Sequence, residues 1–386
     1  MRSALAAVVA AALFPVPHAM AAPPPGACLT PPKAHDVRPD RPWEDRLLDP
    51  ARVWPVTRGA GVRVGVIDSG VDGDHPQLRG KVFPGWDFVR EQAGARFDCA
   101  PHGTPVASII AGAQLEGTGF HGVAPDARIL PARVSDTDEI KGGAAVVAGA
   151  IRYTVDNGAS VLNLSLTVFS DVPELKAAVQ YAKAHDVLVI AAAGNLHEQG
   201  NPRPYPAAYP GVLGVGSIDI GGARSADSQS GDYVDLVAPG VKVTGCDPGA
   251  GHELFQGTSF ATPFVAGTAA LVRSAWPKLT ADQVAERLIR TAGLARGGAG
   301  SEEYGAGVVN PYRAVMDTTL SGAGPSPAEP APIPPQRPDL AAQHRDAAAS
   351  KAQRSASVTA LTLLGVTLGG LALGGLVIAG RRRARR

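Results

Sequence analysis

Short runs of β-branched and small apolar residues recur along the middle of the chain, with stretches of helical spacing between them. GVRVGVID (61–68), ARILPARV (127–134), SVLNLSL (160–166), VLVIAAAG (187–194) and GVLGVGSI (211–218) carry apolar residues on both faces. That is the pattern of strands buried in a parallel sheet. Helices are predicted over 105–112, 142–157, 173–185, 258–276 and 280–292. Pro277 stops the fourth, and Thr280, followed by Asp282 and Gln283, is placed to cap the fifth. Strands alternating with helices predict βαβ units, hence an α/β fold of three layers around a central, mostly parallel sheet.

The ends of the chain break this pattern. Arg2, the apolar run Ala4 to Phe14 and the A-x-A site Ala19-Met20-Ala21 predict a secretory signal at 1–21, cleaved after Ala21. Residues 22–50 are rich in proline and charge, show no helix or strand period, and are expected to form an extended arm. A catalytic domain is expected over 51–320, with regularity fading after about Asn310. Residues 321–357 form a Pro-rich linker and a polar, alanine-rich juxtamembrane segment. Val358 to Gly380 is uncharged and, at roughly 23 residues, long enough to cross a ~30 Å hydrocarbon core as one helix. The tail 381–386 carries Arg381, Arg382, Arg383, Arg385 and Arg386. Those charges predict a cytoplasmic tail and a bulk on the extracytoplasmic side of a cell membrane crossed once.

Composition narrows the function classes. The formal net charge of +1 gives no basic bias toward nucleic acid. Gly (46) and Pro (34) are numerous, which fits many tight turns and an unstructured linker. Export permits disulfides, and the three cysteines, Cys28, Cys99 and Cys246, leave at least one thiol unpaired within the chain. No CxxC or Cys/His spacing supports a zinc-ligand motif.

Three separated motifs carry the chemistry. VIDSGVDGDHPQL (66–78) ends a predicted strand at Asp68, HGTPVASIIAG (102–112) opens a helix with His102, and GTSFATPFVAG (257–267) places Ser259 at a glycine turn into a helix. The carboxyl ends of parallel strands are where α/β proteins assemble sites. A serine hydroxyl needs a neighbouring base to act as nucleophile. His102 suits that role at neutral pH, and Asp68 would hold its tautomer and stabilise the imidazolium. Asn195, ending AAAGN (191–195), offers an amide N–H to an oxyanion, alongside the backbone donors at the start of the Ser259 helix.

These motifs, in the order Asp, His, Ser, resemble the subtilisin-like serine proteases (peptidase S8), the order the family is known for. The resemblance covers about residues 52–315 and implies a subtilisin-like fold and peptide hydrolysis. It assigns Asp68 as orienting acid, His102 as general base, Ser259 as nucleophile and Asn195 as oxyanion donor. It also places Ser165 and Leu166 on the strand that pairs with substrate backbone. A narrower resemblance is to the mycosins, membrane-bound subtilases associated with type VII secretion. It rests on the arm with one cysteine, Cys99 just before the His motif, the Pro-rich linker, and the terminal span with its basic tail. That resemblance implies an arm wrapped on the catalytic domain and a partner in the secretion membrane complex. A Cys28–Cys99 bridge, expected in an oxidising compartment, would staple the arm beside His102, leaving Cys246 without a partner.

Two departures from the family matter. The roughly 30 residues between signal and catalytic domain are too few for a folded inhibitory domain. Thr167 stands where many subtilases have a glycine after Ser-Leu, and its branched side chain is expected to narrow the specificity pocket. No cofactor is required by this chemistry. Several subtilases use calcium for stability, but no Asp/Asn-rich loop here demands it. Asp72, Asp74 and His75 could be drawn as a metal cluster, but a packing role for His75 is the better expectation. His121, His185, His197 and His252 are expected at the surface or in loops, and Glu91 and Asp98 as solvated loop charges. Two functions then compete: an active endopeptidase acting on exported proteins, or a mainly structural component of a secretion complex.

Overall fold

The computed structural model describes residue 28 and residues 33–320, apart from 138, 139, 141 and 299. The expected signal peptide, linker, membrane span and basic tail lie outside the described residues. Among the described residues, no helix is long and apolar enough to cross a membrane.

Among the described residues the first elements are α1 (Trp43–Leu48) and a 3-10 turn (Pro50–Val53), then β1 (Arg63–Asp68), β2 (Trp86–Asp87), β3 (Gln92–Ala93) and α2 (Gly103–Ala111). Next come β4 (Arg128–Arg133), α3 (Gly143–Asp156), β5 (Val161–Leu164), α4 (Pro173–Ala184), β6 (Leu188–Ala192) and β7 (Val212–Ile218). The last elements among the described residues are β8 (Leu236–Pro239), β9 (Val241–Cys246), β10 (His252–Gln256), α5 (Thr258–Ala275), α6 (Ala281–Arg290) and α7 (Pro311–Met316). Eight strands form one sheet in the order β3-β2-β4-β1-β5-β6-β7-β8, parallel except for the β2–β3 pair. The antiparallel pair β9–β10 stands outside it.

Period-2 alternation divides the sheet's side chains between two cores. Val64 and Val66 of β1, Ile190 of β6 and Val215 of β7 pack with Ile109 of α2 and Val265 and Leu271 of α5. Ile67, Leu162, Leu164 and Val189 point the other way, onto Ile151 of α3 and Leu175 and Val179 of α4. The expected α/β fold of three layers is therefore what the chain adopts. Thr280 caps α6 as expected: its hydroxyl accepts from Gln283 N while the Gln283 side chain accepts from Thr280 N, a reciprocal capping box.

Several elements depart from the sequence expectations. The arm holds a helix, α1, where no periodicity predicted one. At six residues it is too short to show a period, and it forms because Glu44 is buried and accepts a hydrogen bond from Thr244 N at 2.6 Å. Helix α7 lies beyond the point where regularity was expected to fade, capped by Asn310, whose Oδ1 accepts from Arg313 N at 2.9 Å. His121, expected at the surface or in a loop, lies in a loop but is buried; His252, with the same expectation, is buried at the start of β10; and Asp98, expected to be solvated, is buried as well. His75 is buried as a packing residue, while Glu91 and His185 are exposed. The carboxylates near His75 diverge: Asp72 accepts from Asp74 N and Gly249 N, and Asp74 pairs with Arg96.

Candidate active site

Parallel register brings the site's elements together. In β1, Ile67 lies opposite Leu164 of β5, and Leu164 lies opposite Ala191 of β6. The carboxyl ends of these three adjacent strands therefore deliver Asp68, Ser165-Leu166 and Asn195 to one edge of the sheet. Helices α2 and α5 start at the same edge and bring His102 and Ser259. Asp68, His102, Ser165, Leu166, Asn195 and Ser259 all line one cleft of about 700 Å³. The six residues expected from sequence to act on or bind substrate thus line the same cleft.

Asp68 is buried, and its Oδ1 lies 2.7 Å from His102 Nδ1. The same oxygen accepts from Ser69 N at 2.7 Å. A carboxylate at Nδ1 selects the tautomer that leaves Nε2 as acceptor toward the cleft. Behind Asp68 stands Asp98, which sequence reasoning placed in solvent. Ser69 Oγ donates to Asp98 Oδ1 at 2.8 Å, and Asp98 Oδ2 accepts from Thr104 N at 2.8 Å and Thr104 Oγ1 at 2.7 Å. Burial pushes the Asp98 carboxyl up to about 6, against the lowering effect of the Thr104 and Ser69 hydrogen bonds. Asp98 ties the first turn of α2 to the loop after β1, and so sets where His102 stands relative to Asp68. Gly103 permits that approach: a Cβ there would lie 2.0 Å from Gly70 O. The only sequence signal for Asp98 was its place four residues before His102.

Ser259 is the second residue of α5, where backbone N–H groups lack intrahelical partners. Its Oγ donates to Ser165 O at 3.1 Å, and Ser165 Oγ donates to Ser259 O at 2.6 Å. Asn163 Nδ2 donates to Ser165 Oγ at 2.9 Å. The Ser165 side chain is therefore turned inward to brace the start of α5. Asn195 Oδ1 accepts from Thr258 N at 2.9 Å and from Thr258 Oγ1 at 3.0 Å. A backbone N–H can only donate, so the atom facing it is the amide oxygen, and the Nδ2 hydrogens remain for the cleft. Thr258, which sequence reasoning did not single out, is what fixes that orientation.

Thr167 and Val168 also line the cleft. The Thr167 Cγ2 methyl comes 3.5 Å from where a Cβ on Gly194 would stand, so it occupies space between the 165–168 and 192–195 segments. Cys28 and Cys99 are disulfide-bonded across 71 residues, joining the arm to the segment that leads into His102. Cys246 is a free, buried thiol, donating to Gln77 Oε1 at 3.4 Å.

Comparison with known proteins agrees with this geometry. Thermitase of Thermoactinomyces vulgaris is 38% identical over 235 residues, covering 61% of this chain and 82% of the relative. A thermophilic serine proteinase of Bacillus sp. strain AK1 is 42% identical over 223 residues, covering 57% of this chain. The chain spans about half (54%) of that relative's length. Among solved structures, MycP1 with its N-terminal propeptide removed superimposes with a TM-score of 0.63 at 34% identity, covering 71% of this chain and 96% of that one. MycP3 protease from the type VII (ESX-3) secretion system gives 0.64 at 31% identity, covering 76% and 99%. The model of the subtilase family, peptidase S8, matches residues 59–307. With that match across most of the chain and the Asp68–His102 pair facing Ser259 over one cleft, this chain belongs to the subtilase family of serine proteases.

Proposed function

We propose that this chain is a serine endopeptidase exported by a cleaved signal, held to the membrane by residues 358–380, and working with a type VII secretion system as a mycosin. The observation that carries the reading is the cleft in which Asp68, His102, Ser259 and Asn195 converge. Ser259 Oγ attacks the scissile carbonyl as His102 Nε2 takes its proton, and Asp68 stabilises the imidazolium that results. Asn195 Nδ2 and the N–H of Ser259 receive the oxyanion. His102 then protonates the leaving amine, and water, activated by the same imidazole, hydrolyses the acyl-enzyme.

The Thr167 methyl in the cleft supports small side chains next to the scissile bond and a narrow range of substrates. The membrane span, the tail and the linker come from sequence alone. Over its 37 residues (321–357) a coil-like linker spans about 30–40 Å, which restricts the enzyme to exported chains passing close to the membrane. The solved relatives named as components of type VII secretion support the partner.

A second role, bracing the secretion membrane complex, is favoured by the Thr167 side chain lining the cleft. Comparing the exported proteins of wild-type, Ser259→Ala and deletion strains tests both. The proposal expects uncleaved exported substrates in the Ser259→Ala strain. Loss of export on deletion with normal processing in the Ser259→Ala strain would contradict the endopeptidase reading and leave the bracing role.

A further inference from the structure

The arm crosses the turn between β9 and β10 on a set of backbone contacts. His35 N donates to Ala250 O at 2.9 Å, His252 N donates to Asp36 O at 3.2 Å, and Arg38 N donates to His252 Nδ1 at 3.1 Å. Gly251 makes the crossing possible: its φ is +77°, and a Cβ there would lie 2.0 Å from His35 O. The backbone of residue 35 is therefore fixed independently of what its side chain does.

That side chain meets two carboxylates of the hairpin. His35 Nε2 lies 3.5 Å from Asp247 Oδ2 and 3.3 Å from Glu253 Oε2, and one donor atom from each of the three lies within 4.8 Å of the others. Hydrogen bonds from N–H to oxygen run at about 2.7–3.2 Å, so both distances are long for that purpose. They match the edges of a coordination tetrahedron, since ligands about 2.0–2.2 Å from a zinc ion stand roughly 3.3–3.6 Å apart.

Asp247 supplies an independent observation. Its side chain is only 5% exposed. Among the described residues its carboxylate accepts no hydrogen bond, and its charged neighbours are His35 and the like-charged Glu253. A buried carboxylate facing a second carboxylate calls for more positive charge than one imidazole supplies. Glu253 and His35 are 48% and 37% exposed, which leaves the trio open to an ion from solvent.

We propose that His35, Asp247 and Glu253 bind a zinc ion that clasps the N-terminal arm to the catalytic domain. Three protein ligands leave the fourth position for water. The imidazole nitrogen favours zinc over calcium or magnesium, which prefer all-oxygen shells. With Cys28–Cys99, the clasp gives the arm two separate fastenings, one metal-dependent and one redox-dependent.

The test uses the full-length chain in detergent, stripped with a chelator and titrated calorimetrically with zinc chloride at neutral pH. One equivalent is expected per chain, with affinity lowered at least tenfold in both His35→Ala and Glu253→Gln. Cobalt(II) should give a visible ligand-field band of tetrahedral type in wild type that His35→Ala abolishes. Both positions are partly exposed and lie outside the catalytic cleft, so unchanged hydrolysis of an unfolded protein substrate serves as the folding control. Zinc binding weaker than about 100 μM, well below the strength expected of a structural site, would overturn the proposal. So would zinc binding that neither variant weakens, or calcium binding at the trio in preference to zinc.

Discussion

In the cleft, each group proposed to be catalytic arrives at the end of a regular element: Asp68 closes β1, His102 precedes α2, and Ser259 stands in the first turn of α5. Along the seam between the arm and the β9–β10 hairpin there is no such regularity. The contacts there are single backbone hydrogen bonds, a glycine that permits one close approach, and a buried histidine, His252, 175 and 214 residues from its partners in sequence. Chemistry in the cleft is positioned by a sheet whose register no single side chain decides. The seam is held by individual groups. Substitutions in the cleft should therefore change rate with little loss of stability, and substitutions in the seam the reverse.

The sharpest way to break that contrast is at Asn195. Asn195→Ala removes the Nδ2 donor and should lower kcat by ~10²–10³ with KM little changed, measured on a peptide substrate. An unfolding midpoint lowered as much as the rate would show that the amide mainly secures Thr258. Next in size is Gly251→Ala in the seam. A side chain at φ +77°, aimed at His35 O, should cost about 1–3 kcal/mol in urea unfolding. It should also speed tryptic cutting after Lys33 while leaving kcat intact. Unchanged stability would mean that the arm is not held there.

A third prediction concerns pH. Burial, with the nearby charges of His75 and Arg38, pushes His252 down from 6.5 to about 4 in the folded chain. Below pH 6.5 the unfolded chain therefore binds a proton that the native chain refuses until about pH 4, so this group's contribution to stability is lost as pH falls through that window. His252→Gln should flatten the dependence of the urea midpoint on pH between 6.5 and 4. An unaltered slope would assign the dependence to other groups.

The same contrast governs what was legible in the sequence. The strands at 61–68, 127–134, 160–166, 187–194 and 211–218 stand out because strands buried on both faces must be continuously apolar. Asp68, His102, Ser259 and Asn195 stand out because each sits in a contiguous motif at such a strand end or helix start. Helix α1, strand β8 and helix α7 are too short to show a period, and β9 and β10, outside the main sheet, mix exposed and polar positions with apolar ones and so lack the continuous apolar run. The burial of Asp98, His121 and His252 depends on distant partners. His252 meets Gln77 and the arm, His121 lies against Asp45 of α1 and the Trp54 ring, and Asp98 is covered by Ser69 and Thr104. No local pattern marks a polar residue that long-range packing will bury and satisfy.

The proposed peptidase function requires Ser259 to be an activated nucleophile in an open cleft. Reaction of the full-length chain in detergent with an organophosphonate serine-hydrolase probe tests it most directly, with the modified residue read by mass spectrometry. One adduct is expected, on Ser259, absent from a Ser259→Ala chain that unfolds at the same denaturant concentration as wild type. A cooperatively folded wild type that takes up no probe, or an adduct that persists in Ser259→Ala, would contradict it.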